Sequence, residues 1–238
     1  MNAALLTVGD ELLAGDTENT NATWLGRQLA DSGVTVKRVL TVPDEVDVIA
    51  DATRRYSEAF DSVIVTGGLG GTPDDLTIDG VAAAFDRDLV ENELARADIE
   101  RHLERIAHKY PELDVDVAAE SRIPAGGRPL INQAGLSPGC VVENVYVLPG
   151  IPSEMKRMFE DVAGEFNGDV DSRFLYTREP EANLIERLDE VQARFGVRIG
   201  CYPDREAEHN RLKISGTDEA ALTNADAWLR ERVTLTDE

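Results

Sequence analysis

One segment, residues 62–77, joins a short apolar strand to a glycine-rich turn and two adjacent carboxylates. The strand Ser62–Thr66 runs directly into this turn. The glycines of the turn are Gly67, Gly68, Gly70 and Gly71. Glycines let backbone N–H groups close around phosphate oxygens, and Asp74 and Asp75 can hold a divalent cation that arrives with a phosphorylated ligand. The segment therefore predicts an α/β fold in which a strand ends at a phosphate site.

The spacing of these glycines excludes two common phosphate-binding motifs. No lysine follows Gly71, as a G-x-x-x-x-G-K-[ST] loop requires, and the Rossmann G-x-G-x-x-G pattern does not fit. A different phosphate-binding α/β fold is expected.

Strands and helices alternate before this segment. Ala3–Val8 is an unbroken apolar run that predicts a strand buried on both faces, and Val34–Val42 predicts a second strand. Apolar residues at helical spacing predict one helix over residues 20–32 and another that starts at Pro43. This alternation predicts a mostly parallel sheet with right-handed crossovers.

After the two aspartates, the pattern predicts helices over residues 78–85 and Asn92–Tyr110. The buried stripe of the second helix is predicted to be Leu94, Ile99, Leu103 and Ile106. Residues 120–138 are rich in Pro and Gly and predict irregular structure. A hairpin over Cys140–Leu148 and a helix from Pro152 to Phe166 are expected to follow.

A polar break at residues 167–172 separates two predicted domains, 1–168 and 173–238. Beyond the break, the pattern predicts a strand, a helix, two strands and a helix, which form a small βαββα domain of the split βαβ type. No motif in this domain can be tied to chemistry. Its expected role is dimerisation or covering an edge of the first domain.

The chain of 238 residues is 42% hydrophobic and carries a net charge of -22, which favours a folded and strongly acidic protein. Such a surface repels nucleic acid and anionic membranes, so neither is an expected partner. The acidic residues are spread over nearly every predicted helix. This favours a halophilic archaeal protein adapted to molar salt, with an ordinary acidic protein as the alternative.

Cys140 and Cys201 are the two cysteines, and they lack the spacing of a zinc site. Reduced, buried thiols are expected. The N-terminus lacks the features of a signal peptide, and no apolar run approaches the length of a membrane span. A cytoplasmic location is expected.

Loops that carry acidic residues follow both the first and the third predicted strand. Because parallel strands end at one edge of a sheet, the loop with Asp10 and Glu11 is expected to share a cleft with Thr66, Thr72 and the glycine turn. Carboxylates that face a phosphate need a cation between them, since they would otherwise repel the ligand. The sequence therefore predicts a cation and a phosphate in one cleft.

Each acidic pair also has a simpler interpretation. One of Asp74 and Asp75 could cap the following helix while the other is solvated. Asp10 and Glu11 could belong to a plain turn after a strand. For Asp74 and Asp75 the combined interpretation is preferred, in which one carboxylate binds Mg²⁺ directly or through water and the other caps or orients it; for Asp10 and Glu11 both interpretations stay open.

The segment Leu148–Met155 also ends a strand and starts a helix. Its amides form a second site that attracts anions, which makes Gly150, Ser153 and Glu154 ligand-binding candidates. A helix start shaped by proline is the alternative. Asn21 is a further ligand candidate, with helix capping as its alternative role.

Four motifs closely resemble the N-terminal domain of the CinA family, within the MoaB/Mog molybdopterin-binding superfamily. They are Thr7–Gly15 with Thr20-Asn21, Thr66–Thr77, Asn132–Gly139 and Leu148–Met155. The resemblance covers about residues 3–166. It implies a three-layer α/β/α domain that binds a phosphorylated pterin or nucleotide, in a homo-oligomer. The βαββα domain resembles the small domain that comes next in CinA-type proteins.

In the CinA branch, the resemblance implies hydrolysis of a nucleotide pyrophosphate of the ADP-ribose or FAD class, with Mg²⁺, Mn²⁺ or Co²⁺. The leading hypothesis is a metal-dependent nucleotide pyrophosphatase. The amides of the glycine turn and of Thr72 would bind the diphosphate, Asp74 or Asp75 would hold the metal, and Asp10 or Glu11 would orient or deprotonate the water. The alternatives are a molybdopterin- or nucleotide-binding protein without catalysis and a Mg-ATP-dependent molybdopterin adenylyltransferase.

Two departures from the family pattern are visible. Gly71 stands where family members commonly carry proline, a change that loosens the loop but keeps its amides. The sequence ends soon after the βαββα domain, so the amidase domain of full-length CinA proteins and its activity are not expected.

Overall fold

The computed structural model describes residues 1–237, in two units: one ends at Gly168 and the other begins at Asp169. The strands and helices of the first unit are β1 (Asn2–Val8), α1 (Asp10–Ala14), α2 (Thr20–Asp31), β2 (Thr35–Val42), α3 (Val46–Ala59), β3 (Ser62–Thr66), α4 (Thr77–Ala84), β4 (Leu89–Glu91), α5 (Glu93–Ile106), α6 (Val117–Glu120), β5 (Arg122–Pro124), β6 (Arg128–Leu130), β7 (Gly139–Val142), β8 (Val145–Leu148) and α7 (Pro152–Val162). Those of the second unit are β9 (Asp171–Thr177), α8 (Glu181–Phe195), β10 (Arg198–Asp204), β11 (His209–Gly216) and α9 (Glu219–Arg230).

The main sheet of the first unit has the strand order β2-β1-β3-β8-β7-β6. The strands β2, β1, β3 and β8 are parallel neighbours. On the far side of β8, β7 is antiparallel to β8, and the last strand, β6, is antiparallel to β7. The predicted mostly parallel sheet and the hairpin of β7 and β8 are confirmed. The carboxyl ends of the four parallel strands lie at one edge, so the loops that follow them are neighbours.

Helices cover both faces of this sheet because its central strands are apolar on both sides. One face packs against α2 and α7 through buried residues that include Leu5, Leu25 and Met158. The other face packs against α3 and α4 through residues such as Leu6 and Ile49. The predicted three-layer α/β/α architecture is confirmed.

Three local predictions for the first unit are wrong. Asp10 and Glu11 form the first turn of α1 instead of a loop. Residues 120–138 contain two short strands, because β5 pairs with β4 and β6 adds to the main sheet. Leu94 is 65% exposed. The helix α5 buries Ala95 and Ile99, which lie four residues apart on one face, and it ends at Ile106.

The two cysteines differ in their environments. Cys140 is fully buried in β7, and this burial raises the pKa of its thiol to about 12. Cys201 lies on the edge strand β10 and is only half-buried, so the expectation that both are buried is wrong for this residue. Among residues 1–237, no helix is both long and apolar enough to cross a membrane.

The second unit is an antiparallel sheet of order β10-β11-β9, with α8 and α9 packed on one face. Because β11 pairs antiparallel with both neighbours, β9 and β10 run parallel on either side of it. The predicted split βαβ arrangement is confirmed. The packed face contributes Leu175, Leu212 and Ile214 to a core that also holds Leu184 and Trp228.

Glu179 ties the end of β9 to the rest of the second unit. It accepts hydrogen bonds from Arg187 and from the Thr234 N–H, the latter at 2.6 Å. These contacts lower the pKa of Glu179 from its ordinary 4.5 to about 2, and the hydrogen bond from Arg187 is the largest cause. A carboxylate with a lowered pKa stabilises the folded state fully above its unfolded pKa and loses that contribution as the pH falls toward the folded value.

We therefore expect Glu179→Gln to destabilise the second unit at pH 7 and to match the unsubstituted protein near pH 2. Urea unfolding between these pH values measures the difference, with Trp228 as the fluorescent reporter in a Trp24→Phe background. The matched control is Glu186→Gln on the exposed side of α8. A stability difference that does not change with pH would contradict the assigned role of the charge.

Candidate functional site

Gly67 is the point at which three loops of the first unit meet. It has φ = +99°, and a Cβ there would overlap the carbonyl oxygen of Val8 at the end of β1. Its N–H donates to the carbonyl of Leu148 at the end of β8, at 3.2 Å. A Cβ on Gly150 would lie 3.2 Å from the Cα of Gly67. Only glycine fits this close approach, so the loops after β1, β3 and β8 are packed together.

The start of α2 closes one side of this meeting point. The Asn19 side chain donates to the Thr7 hydroxyl at 3.1 Å and accepts from the Ala22 N–H, which anchors the helix to β1. Asn21 donates to the carbonyl of Gly150 at 2.7 Å. Its Oδ1 is buried without a hydrogen-bond partner among the described residues. A buried acceptor without a donor is a feature that a ligand or a water normally satisfies.

The loops enclose a small hollow of about 90 Å³, which we call the glycine hollow. Its lining includes Glu11, Asn21, Thr66, Gly67 and Gly150. The sequence prediction named all five, and the structure brings them together. Whether they bind a ligand stays a prediction.

Asp44 lies beside the glycine turn, and the charges of Asp10, Glu11 and Asp74 act on it. We call these four carboxylates the acidic group. Asp44 follows β2, and its Oδ2 accepts from the Asp10 N–H at 2.8 Å. Desolvation by burial raises the pKa of Asp44, and the charges of Asp10, Glu11 and Asp74 raise it further. Burial first, and then like charge, therefore disfavour the ionised form of Asp44.

The turn itself offers free amides, although not all of those predicted. The N–H of Gly67 is used by Leu148, and the N–H of Thr72 donates to Asp75 Oδ2 at 3.0 Å. The amides that donate to no described residue are those of Gly68, Leu69, Gly70 and Gly71. A run of four unpaired N–H groups in a glycine turn is suited to phosphate oxygens.

Asp74 and Asp75, predicted to bind one metal, have different surroundings. Asp75 accepts from both the N–H and the hydroxyl of Thr72, and its Oδ2 lies 2.5 Å from the position that a Cβ of Gly70 would take. Asp74 is exposed. An interaction with the Thr72 side chain lowers its pKa, and its charge contributes to the raised pKa of Asp44. Asp75 therefore holds the turn in shape, whereas Asp74 belongs to the acidic group.

A second hollow, of about 230 Å³, lies beside the same turn. Its lining includes Gly70, Gly71, Asp75, Glu120 and Arg122. Desolvation raises the pKa of Glu120, with the charges of Asp75 and Asp116 adding to the effect. The turn thus has a carboxylate of raised pKa near it on each side, Asp44 and Glu120.

Glu154 contacts the loop 132–139. Its carboxylate accepts from the side-chain amide of Asn132 at 2.7 Å and lies against Gly135. Asn132 is 1% exposed and also accepts from the Gly135 N–H at 2.9 Å. These contacts hold the loop against the start of α7. Ser153 is exposed, and its hydroxyl forms no hydrogen bond with a described residue. No hydrogen bond therefore links the Ser153 side chain to the other predicted site residues.

Three residues at this edge escaped the sequence reasoning: Asp44, Thr77 and Glu120. Asp44 was predictable, because β2 is parallel to β1 and its carboxyl end must lie at the same edge. The Thr77 hydroxyl is buried without a partner, 2.5 Å from the position of a Cβ on Gly68. Glu120 arrives from the distant helix α6, and no local pattern points to it.

A larger hollow of about 560 Å³ lies at the end of α5. Its lining includes Leu103, Ile106, Tyr110 and Leu113. No glycine amide of residues 1–237 lines this hollow, whereas free glycine amides lie at the carboxyl ends of the parallel strands. The strand ends are therefore the better candidate for a phosphate site.

The first unit is thus an α/β/α domain whose sheet edge carries glycine loops and acidic residues. Residues 4–167 match the family described as "Probable molybdopterin binding domain", and the chain belongs to this family. Residues 169–236 match the family described as "FAD synthase, middle domain".

Several relatives extend this result. A protein of Archaeoglobus fulgidus is 34% identical over 94% of this chain and 95% of its own length. A CinA-like protein of Frankia casuarinae is 43% identical over 67% of this chain, but the match spans only 38% of that protein. The crystal structure of CinA from Thermoplasma acidophilum is 37% identical, with a TM-score of 0.61, and covers 69% of this chain and 97% of that one. The resemblance to CinA is confirmed.

Proposed function

We propose that the first unit binds the phosphates of a nucleotide or pterin at the glycine turn and hydrolyses a phosphoanhydride with a divalent cation. The observation that carries the proposal is the acidic group beside free turn amides. Four carboxylates next to an anion-binding turn are repulsive unless a cation lies between them and the ligand. Burial is the main cause of the raised pKa of Asp44, and the repulsion from Asp10, Glu11 and Asp74 adds to it.

The residues fit a cation that arrives with its ligand. Among residues 1–237, no three His, Cys, Asp or Glu side chains are grouped closely enough to hold an ion by themselves. Mg²⁺ in phosphate sites is commonly held by one or two carboxylates, waters and the phosphates themselves. Asp44 and Asp74 fit that donor set, which revises the predicted pair Asp74 and Asp75.

The amides of residues 68–71 would bind the equatorial phosphate oxygens and orient the diphosphate. Asp44 and Asp74 would hold the cation, which supplies charge neutralisation on the phosphoryl group and acidifies a water. In the reaction, the water oxygen bonds to phosphorus, and the bond from phosphorus to the bridging oxygen breaks. Asp10 or Glu11 would accept the proton of the water.

Binding without turnover is the second candidate. It is favoured by the family description of the first unit, which names binding and no reaction. The match of the second unit to an FAD synthase domain supports including a flavin nucleotide among the compounds tested.

We expect the purified protein to release AMP from ADP-ribose or FAD in the presence of Mg²⁺, Mn²⁺ or Co²⁺, and not in EDTA. Chromatographic quantification of AMP measures this in low-salt and high-salt buffers. Protein carrying Asp44→Asn and purified identically controls for contaminating hydrolases. Cation-dependent binding of ADP-ribose without AMP in any buffer would support the second candidate and contradict hydrolysis.

A further inference from the structure

Among the described residues, both helices of the second unit pack on one face of its sheet and leave the other face without a helix of that unit. The cross-strand register places Arg211 opposite Tyr202, and Lys213 opposite Phe174 and Gly200. Successive residues of a strand alternate between faces, and Leu212 and Ile214 point into the core. The other face, which we call the open face, therefore carries the cations Arg198, Arg211 and Lys213, the aromatic residues Phe174, Tyr176 and Tyr202, and at one end His209 and Asp204.

The open face is basic and aromatic, although the chain as a whole carries a charge of -22. Arg211 stacks 5.7 Å from the ring centres of both Phe174 and Tyr202, and Lys213 lies 5.7 Å from that of Phe174. The two rings are 41% and 50% exposed, respectively. The cations thus lie over one face of each ring in cation–π contacts, and the rings stay partly exposed.

The cations of the open face form no close ion pair, unlike many arginines of this protein. Within residues 1–237, no ion pair or side-chain hydrogen bond engages the side chains of Arg198, Arg211 or Lys213, whereas Arg173 of the same unit pairs with Asp171 and Glu219. The carboxylate at the end of the face, Asp204, accepts from the N–H groups of Glu206 and Ala207 at 3.0 Å. The Ala207 hydrogen bond is the main cause of its lowered pKa, and the charges of His209 and Arg211 also contribute. One carboxylate thus offsets part of the charge at the end of the face, and the charges of Arg198 and Lys213 are left for a partner.

We propose that the open face binds single-stranded nucleic acid. The central strand β11 carries Arg211 and Lys213 about 7 Å apart, at the two-residue repeat of a strand, with exposed rings on the strands at either side. Phosphates would follow the cations of β11, and bases would stack on Tyr202 and Phe174. An open sheet face suits an extended chain better than a small molecule, which needs a concave site.

A second copy of this chain fits the open face less well. A two-fold contact would bring the unpaired cations of one copy against those of the other, and like charges repel. The expectation that nucleic acid is not a partner rests on net charge. The tertiary structure changes this locally, because it gathers cations from residues 198, 211 and 213 onto one surface.

The test is fluorescence anisotropy of a labelled oligothymidylate with the full chain over a range of salt concentrations. We expect binding whose logarithm falls with the logarithm of salt at a slope of about -2, as three neutralised phosphates require. Arg211→Gln with Lys213→Gln is expected to reduce the slope to about -0.7. Tyr202→Ala is expected to weaken binding about fivefold or more at an unchanged slope, because stacking is not ionic.

Arg55→Gln, an exposed arginine of α3, is the control for loss of charge and is expected to bind normally. Circular dichroism verifies that each variant is folded. Absence of binding at low salt, or equal binding by the double variant, would overturn the proposal. Equally tight binding of duplex DNA or inorganic polyphosphate would also overturn it. The same holds if light scattering shows that the open-face variants change the molar mass of the protein, because the open face would then be a contact between copies.

Discussion

Gly67→Ala is expected to lower the free energy of unfolding of the first unit by about 3 kcal/mol and to abolish ligand binding. Two costs add at this position. The backbone has φ = +99°, which a residue with a side chain adopts only under strain, and the new Cβ would overlap the carbonyl oxygen of Val8. Relief requires β1 and β3 to move apart at the edge where the ligand is proposed to bind.

Thermal unfolding measures the loss, with a decrease in Tm of about 10 °C expected for a unit of this size. Two matched variants separate the costs. Gly15→Ala also has a positive φ, of +80°, but nothing lies within 4 Å of the new Cβ, so it carries the conformational cost alone. Gly26→Ala lies in α2 in open space and is expected to be neutral or stabilising. A Gly67→Ala cost no larger than that of Gly15→Ala would contradict the packing of these loops.

Asp44→Asn is expected to weaken cation affinity about 10- to 100-fold while making the cation-free protein more stable at pH 7. The Asn oxygen still accepts from the Asp10 N–H, so the loop keeps its hydrogen bond. The substitution removes a charge that is desolvated and that faces Asp10, Glu11 and Asp74. Cation affinity falls because the cation loses a carboxylate ligand. The cation-free protein becomes more stable because the repulsion between Asp44 and the neighbouring carboxylates is removed.

The stability advantage of Asp44→Asn is expected to depend on pH. A carboxyl with a raised folded pKa costs stability when ionised, and the cost vanishes as the pH falls through the folded pKa toward the ordinary value of 3.8. The advantage of Asp44→Asn in cation-free urea unfolding should therefore fade as the pH falls and be absent below about 3.8. Asp47→Asn, an equal change of charge in the first turn of α3, is the control. Destabilisation of the apoprotein at pH 7, with cation binding unaffected, would assign Asp44 a purely structural role.

The sequence predicted the sheet well because its signals are local. Ala3–Val8 and Ser62–Thr66 are unbroken apolar runs, which only a strand covered on both faces can bury, and both are strands of the main sheet. The errors fall where local signals compete. Leu94 lies within a helical pattern, but the contacts of Ala95 and Ile99 decide which side of α5 faces the core.

The candidate site was predictable where it depends on one segment. The run of glycines at 67, 68, 70 and 71 indicates an unusual turn, because positive φ and close approaches favour glycine. Gly67 and Gly68 have positive φ, and a Cβ on Gly67 would overlap a backbone carbonyl. The pairing of acids was not predictable in the same way. Asp74 and Asp75 are adjacent in sequence, yet they have different roles. The charge of Asp74 contributes to the raised pKa of Asp44, whereas Asp75 accepts a hydrogen bond from the Thr72 N–H.

By itself, the sequence determined the alternation of strands and helices, the glycine turn and the βαββα pattern of the second unit, since each follows from the periodicity or backbone freedom of neighbouring residues. Only the tertiary structure decided which charges meet. Asp44 joins Asp10 across 34 residues, and Arg211 reaches the ring of Phe174 through strand pairing. Charges act through space, so their partners depend on strand order and register, which no single segment encodes.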